Sequence, residues 1–600
     1  MSHLRTILPY FRPYRTGMLV GLLLVAISNF FTVAGPYLLK LAIDALEDPE
    51  VQRSLILQYA GLVVLAAILG GVARYGMREL LNGISRRIEC DVRADFFRHL
   101  LKLDASFFAR NRTGDLMSRL TNDTLAVRQA VGPAVMYSVN TTVMSTFVLS
   151  LMIWISPRLT LLALLPMLLL PPLVLGFGRI IHRRFERIQA QFSDLCTMVQ
   201  ENLTGVRLIR AYGQEKAQAR YFERRNQEYA DRNMNLIRAS GLFHPSMALL
   251  TAAAMAVVLW VGGGLVMDGT ITVGDFVAFT FYLNLLAWPM IALGWVVNLF
   301  QRGEASMGRI NEMMHEEPRI RLTAGARTAE HVEGAVEFRN VSFRYPGTER
   351  VVLKDLSFRA APGEVVAVVG PTGSGKSSLV SLLPRIHDPT EGTILLDDIP
   401  LQEYDPTALR SVMGVVPQDS FLFSETIESN IGLGLHNLDW DAETGPPSEV
   451  VDAARVAQLH EQIGELPGGY RTYLGERGIN LSGGQKQRAA LARALASDPH
   501  ILILDDALSA VDTHTEALIL DELRSALRGR TTFLISHRVT AVMNADRILV
   551  LEDGVLVEEG RHADLLAQGG VYAALLERQL LEQDLESDLV PPASEVGSAP

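Results

Sequence analysis

The first 300 residues contain six uncharged apolar stretches, at 18–39, 54–73, 131–155, 159–178, 246–267 and 276–300. A bilayer needs about 20 consecutive apolar residues per helix, and each stretch meets that length. One of them could be the buried helix of a soluble protein, but six in one half of a chain cannot. The sequence predicts an α-helical membrane domain with six transmembrane helices, and the apolar excess ends near residue 305.

Lys and Arg set the orientation, because they accumulate on the cytoplasmic side. Arg5, Arg12 and Arg15 precede the first span. The segment between spans 2 and 3 carries Arg86, Arg87, Arg93, Arg98, Lys102, Arg110, Arg112 and Arg119, and that between spans 4 and 5 carries Arg179, Arg183, Arg184, Arg187, Arg207 and Arg210. The connections at 44–53, 156–158 and 268–275 hold only Arg53 and Arg158. Both chain ends and both long loops are expected in the cytoplasm, on a multi-pass protein of the cytoplasmic (inner) membrane. The long loops are helix-rich and read as extensions of the membrane helices, reversing near 112–120 and 202–206, where Gly114 and Gly205 permit turns. Pro36, Pro166, Pro171, Pro172 and Pro289 are expected to bend their helices. Arg74 and Arg78, just past the second span, are expected to snorkel to the inner interface or lie in the cytoplasm rather than line a polar cavity. The N-terminus, MSHLRTILPYFRPYR, lacks the apolar core of a cleavable signal peptide and reads as a surface helix over 1–16. A formal net charge of −11 leaves no bulk basic character for nucleic acid. The only cysteines, Cys90 and Cys196, make a disulfide framework unlikely.

From about residue 333 short apolar strands, glycine turns and helices alternate, as in an α/β domain. VVAVVG (365–370) runs into GPTGSGKSS (370–378), a complete G-x-x-x-x-G-K-S. Glycines let the backbone wrap phosphates with successive N–H groups pointing inward. Lys376 then reaches the β- and γ-phosphates, and Ser377 offers its hydroxyl to Mg²⁺. Gly370, Pro371, Thr372, Gly373, Ser374, Gly375, Lys376, Ser377 and Ser378 are therefore the candidate nucleotide-binding loop. Asp505 ends the apolar run ILIL (501–504), a suitable place for a magnesium-holding carboxylate. Alone it would read as a helix cap; beside a phosphate loop the metal role is the better reading. LSGGQKQRAALARAL (481–495) sets a Ser-Gly-Gly turn ahead of a basic helix, a second anion-binding end.

Together, GPTGSGKSS, ILILDD and LSGGQ resemble the nucleotide-binding domain of ABC ATPases. The resemblance implies roles for further residues. Gln418 in VVPQD takes the place of the Q-loop glutamine, a magnesium ligand and signal to the membrane helices. Tyr345 in FRYPG is placed like the aromatic residue that stacks on adenine. Ser509, Ala510, Val511 and Asp512 match the D-loop, and His537 in LISHR the switch histidine that touches the γ-phosphate. LGERG (474–478) resembles the exporter-specific segment. Leu481, Ser482, Gly483, Gly484 and Gln485 form the signature, which in ABC dimers closes over the ATP held by the other subunit. Upstream, FFARNRTGDLMSRLTND, ENLTGVRLIRAYGQE and GTITVGDFVAFTFYL resemble the membrane half of multidrug-type exporters, so the likeness covers roughly 5–575. It implies a half-transporter, with a six-helix membrane domain over 17–320 and an α/β P-loop ATPase domain over 333–575. ATP and Mg²⁺ would be its cofactors, and a lipid bilayer and a second half-transporter its partners. Its cargo would be hydrophobic or amphipathic, a drug or a lipid.

One residue departs from the pattern. The residue after the Walker B aspartate is usually glutamate in this family, and its carboxylate orients or deprotonates the attacking water; here it is Asp506. Aspartate is one methylene shorter, about 1.5 Å less reach, and misplacing a nucleophile by ~1 Å costs on the order of a hundredfold in rate. The site built on Lys376, Asp505 and Asp506 is expected to bind MgATP and hydrolyse it slowly, while the intact 481–485 completes a partner's site. This resembles the degenerate half of a bacterial heterodimeric exporter whose partner supplies the glutamate. The alternatives are a homodimer exporting lipid or peptide, with Asp506 working through a relaxed loop or an extra water, and an ATP-gated channel or regulator. The acidic, then Pro/Ser-rich stretch 576–600 reads as a disordered tail.

Overall fold

A computed structural model describes residues 2–47, 52–321, 325–329, 331–435, 445–475, 478, 480–511, 513–536, 538 and 542–589. They form two units, Met1–Lys102 with Thr113–Glu316, and Leu103–Arg112 with Glu317–Pro600.

In the first unit, among the described residues, six helical segments are long and apolar enough to cross a membrane: His3–Leu46, Arg53–Leu100, Thr113–Ile155, Pro157–Thr204, Glu215–Met267 and Val273–Met314. At 1.5 Å per residue they overrun a bilayer, because the polar loops continue the apolar helices without a break. The first reversal differs from expectation. The second segment ends at Leu100, a short helix follows at Ala105–Arg110, and the third segment starts at Thr113. The turn therefore lies within 101–112, and Gly114 is helical. Asp104 makes the turn by capping, its carboxylate accepting from the backbone N–H of Ser106 at 3.0 Å and of Phe107 at 3.3 Å. The second reversal begins at Gly205, as expected, and is completed by the helix Val206–Ala211. The fourth segment is interrupted between Pro157–Met167 and Leu170–Thr204, with Pro166 and Pro171 on either side of the break. Pro36 and Pro289 lie inside continuous helices.

The first two segments run antiparallel and approach through small residues: Ile84 packs on Gly17, Leu81 on Gly21 and Phe31 on Gly70. The far ends of the first and sixth segments are tied. Lys40 Nζ lies 2.6 Å from Asp275 Oδ1, both side chains largely shielded. Gly274 N–H donates to Asp44 at 3.0 Å, and Thr272 and Asp275 form a capping box at the helix start. Arg74 and Arg78 do not snorkel as expected: both line a cavity of about 350 Å³ walled by residues of the first, second, third and sixth segments. Arg74 Nη2 donates to Thr32 Oγ1 there at 2.9 Å.

The second unit is built on two sheets. Strands are β1 Val336–Arg344, β2 Val351–Ala360, β3 Val365–Val369, β4 Glu391–Leu396, β5 Ile399–Pro400, β6 Met413–Val416, β7 Ile501–Asp505, β8 Thr531–Ile535, β9 Arg547–Glu552 and β10 Val555–Gly560. One sheet has the order β2-β1-β4-β5; the other has β10-β9-β3-β8-β7-β6 and is parallel from β9 to β6. Its inner strands are apolar without alternation because both faces are covered. Val366, Val368, Ile501 and Ile503 enter the core shared with the antiparallel sheet, whereas Leu502 and Leu504 face the helix Gly483–Ala496. Parallel strands align their C-terminal ends, so the segments after β3, β6, β7 and β8 emerge along one edge, where α/β sheets bind ligands. The last helix, Val571–Leu589, runs past 575, where the tail was expected to begin, and 590–600 lie outside the described residues.

Candidate nucleotide site

The loop after β3 needs glycine at two positions. Gly370 has φ +149° and Gly375 φ +103°. A Cβ at Gly370 would sit 2.1 Å from the Leu551 carbonyl oxygen, and one at Gly375 2.7 Å from Leu353 Cδ2. Lys376 opens the helix Lys376–Ser381 and is buried, its ammonium donating to the carbonyls of Gly370 and Pro371 at 2.9 Å each. Burial pulls its pKa below the ordinary lysine value, opposed by the carboxylates of Asp505 and Asp506. Ser374 Oγ is buried without a partner among the described residues.

Tyr345, Thr348, Arg350, Val352, Thr372, Gly373, Gly375, Lys376, Ser377, Ser378 and Gln418 enclose a cavity of about 420 Å³, enough for a ligand of nucleotide size. The Tyr345 ring is braced edge-on by Phe343, centroids 4.9 Å apart, and its hydroxyl shares a 2.9 Å hydrogen bond with Ser378 Oγ. Asp505, at the end of β7, accepts from Ser377 Oγ at 3.1 Å. The P-loop hydroxyl and the strand-end carboxylate thus meet across the sheet, with Gln418 on the same cavity. That oxygen-rich donor set suits Mg²⁺, and an unpartnered buried hydroxyl beside a lysine suits phosphate.

Asp506 stands close enough for its carboxylate to act on Lys376 but is not among the residues that enclose the cavity. Its backbone is left-handed, φ +50°, and it borders a small void of about 30 Å³ with Ser509, Glu516, Ser536 and Arg538. Its N–H donates to the Ile535 carbonyl at 2.9 Å, and its carbonyl accepts from Ser509 Oγ at 3.1 Å and Gln487 Nε2 at 3.4 Å. Ser482 caps the helix Gly483–Ala496 in a capping box with Gln485. Leu481, Ser482, Gly483, Gly484 and Gln485 do not line the nucleotide cavity of their own chain. Gln487 joins this helix to the D-loop, donating to Ser509 Oγ at 2.9 Å and accepting from Ala510 N–H at 2.8 Å. Val511 is buried below it. Asp512, His537 and part of LGERG (Glu476 and Arg477) lie outside the described residues.

Two of these residues escaped the sequence. Arg350 adds a cation to the nucleotide cavity but belongs to no local pattern. Gln487 lies two residues past the signature, yet only its contacts with Ser509 and Ala510, beyond β7, reveal its role.

Residues 18–290 match the family described as ABC transporter transmembrane region, and residues 353–509 the family described as ABC transporter. The chain is 38% identical over 580 residues to the multidrug resistance-like ATP-binding protein MdlA of Escherichia coli (strain K12), covering 96% of both chains. It is 34% identical to the ATP-dependent lipid A-core flippase of Pseudomonas aeruginosa, again covering 96% of each. A solved structure of a bacterial Atm1-family ABC exporter with ATP bound superposes with TM-score 0.74 at 30% identity, over 97% of this chain and 99% of that one. The chain belongs to the ABC exporters. It is an ATP-hydrolysing half-transporter, with membrane and ATPase parts fused in one polypeptide. Lys376, Ser377 and Asp505 all lie within 353–509, the span of the ABC transporter match.

Proposed function

We propose that this ABC exporter moves hydrophobic or amphipathic compounds, drugs or lipids, out of the cytoplasmic membrane as one half of an asymmetric pair. The likeness to a multidrug resistance-like protein and to a lipid A-core flippase supports that cargo class. The N-terminus and ATPase unit lie in the cytoplasm on this reading, as the arginine distribution requires. Tyr345 stacks on adenine, residues 370–378 wrap the phosphates, and Lys376 exchanges its loop carbonyls for the β- and γ-oxygens. Ser377, Asp505 and Gln418 would hold Mg²⁺, which would supply neutralisation of charge on the phosphates. Asp506 directs water at the γ-phosphorus; the bond to the bridging oxygen breaks, leaving ADP and phosphate. His537 meets the γ-phosphate, and Leu481–Gln485 with Ser509–Asp512 close over the partner's nucleotide.

The asymmetry rests on one observation. Four hydrogen bonds hold the Asp506 backbone, one from its N–H to Ile535 and three to its carbonyl from Ser509 N–H, Ser509 Oγ and Gln487, so its peptide cannot advance to recover the reach that a shorter side chain lacks. This weighs against the relaxed-loop homodimer. Hydrolysis then falls mainly to a site where a different chain supplies glutamate and this chain supplies 481–485.

Purification of the tagged chain from its native membrane tests the pairing. A second half-transporter is expected to accompany it, and the chain alone is expected to turn over ATP slowly. Asp506→Glu should raise that turnover roughly a hundredfold. Brisk turnover by the isolated chain, lost in Asp506→Asn, refutes the scheme. Accumulation of dye against a gradient in inverted vesicles separates a pump from an ATP-gated channel, which only equilibrates it.

A further inference from the structure

The cavity in the membrane unit has a chemistry of its own. The packing of Ile84 on Gly17, Leu81 on Gly21 and Phe31 on Gly70 fixes the register of the first two helices. By that register Arg74 is about level with Ile27 and Arg78 with Leu23, both inside the apolar stretch 18–39. An arginine at such depth costs about 2.5–3.5 kcal/mol on insertion scales unless it faces water or a partner. Among the described residues Arg74 bonds only Thr32, and neither arginine is paired with a carboxylate. Around them stand neutral amides: Asn29, which donates to Asn140 Oδ1 at 3.1 Å, and Asn284. The remaining wall is soft and apolar, with Met77, Met136 and Met144 buried and Trp288 exposed beside Pro289. Two guanidiniums with no carboxylate among the described residues beside them are an anion-binding set. Methionines adapt to chains of varied shape.

We infer that this cavity is a cargo site selective for anionic amphiphiles: a phosphate or carboxylate head group set on Arg74 and Arg78, with an apolar chain against the methionines and Trp288. A cationic amphiphile is repelled at the same place. The inference rests on the export reading for the word cargo, but binding is measured apart from transport.

The test uses the intact transporter with its second half, in nanodiscs of phosphatidylcholine. Probes are dodecyl phosphate, dodecyltrimethylammonium, dodecanol and inorganic phosphate, read by tryptophan fluorescence with Trp288→Phe as the signal control. Dodecyl phosphate is expected to quench at concentrations at least roughly tenfold below the cation and the alcohol. Inorganic phosphate alone should give no quench in that range. The double variant Arg74→Gln/Arg78→Gln should lose the preference, and Arg74→Lys/Arg78→Lys should keep most of it, which separates charge from folding. Equal binding of cation and anion overturns the inference; that outcome is expected if carboxylates of the second half neutralise both arginines. Preference unchanged by the glutamine pair overturns it, as does binding of inorganic phosphate as tight as that of the amphiphile. Selective binding without ATP-driven movement of a labelled dodecyl phosphate leaves the site standing and removes the export reading instead.

Discussion

Gly370 and Asp506 both have positive φ, for opposite reasons. At Gly370 the conformation brings the chain against the Leu551 carbonyl, so a methyl group has no room. Gly370→Ala is expected to store about 1–3 kcal/mol of strain in the loop, weakening ATP binding roughly 10- to 100-fold by equilibrium titration. Aspartate tolerates the left-handed region better than glutamate does. The faster Asp506→Glu enzyme should therefore pay about 1 kcal/mol in stability, visible as a slightly lower melting temperature. The P-loop, Asp505 and Tyr345 were legible because each is a motif whose spacing carries its own mechanics. Arg350 was not, since its relevance comes from β2 passing beside the loop and from nothing in its neighbours.

At the level of elements, the six spans could be read because uninterrupted apolar length is a direct demand of the bilayer. Their polar continuations carry no such demand, and the first turn was misplaced: Gly114 drew attention, while the working signal was Asp104 ahead of Ser106 and Phe107. The Asp104 carboxylate is pushed up by burial, but hydrogen bonds from Ser106 and from the Arg319 and Phe107 amides outweigh this and hold it below the ordinary aspartate value. A depressed carboxylate stabilises above its unfolded pKa and loses that contribution as pH falls through the folded one. Asp104→Ala should therefore weaken the turn by about 1 kcal/mol at neutral pH, read as faster hydrogen exchange at Ser106 and Phe107. The difference from the parent should begin to shrink below about pH 4 and vanish only once the pH has fallen past the lowered folded value. Likewise, Gln487→Ala frees Ser509 and the Ala510 N–H, which no longer hold the D-loop to the signature helix. ATPase activity of the assembled pair should fall severalfold while nucleotide binding to the isolated chain stays unchanged.

Across the whole molecule, the order of membrane part and ATPase part follows directly from the hydropathy of the sequence. Arg74 and Arg78 were misassigned because the end of an apolar run marks where polar residues start, and a membrane protein with an internal cavity starts them before its lipid boundary does. The far ends of the first and sixth segments behave differently again. Lys40 and Asp275 are shut away together, with the Lys40 ammonium 5.3 Å from the Trp154 ring centroid. Swinging the first helix away from the third and the sixth would bare two charges and empty a ring face at once. On the proposed topology this is the outer door, so it holds a threshold that thermal agitation seldom crosses. A cell keeping its ion gradients needs such a bias, because a pump that rattles open between strokes is a leak.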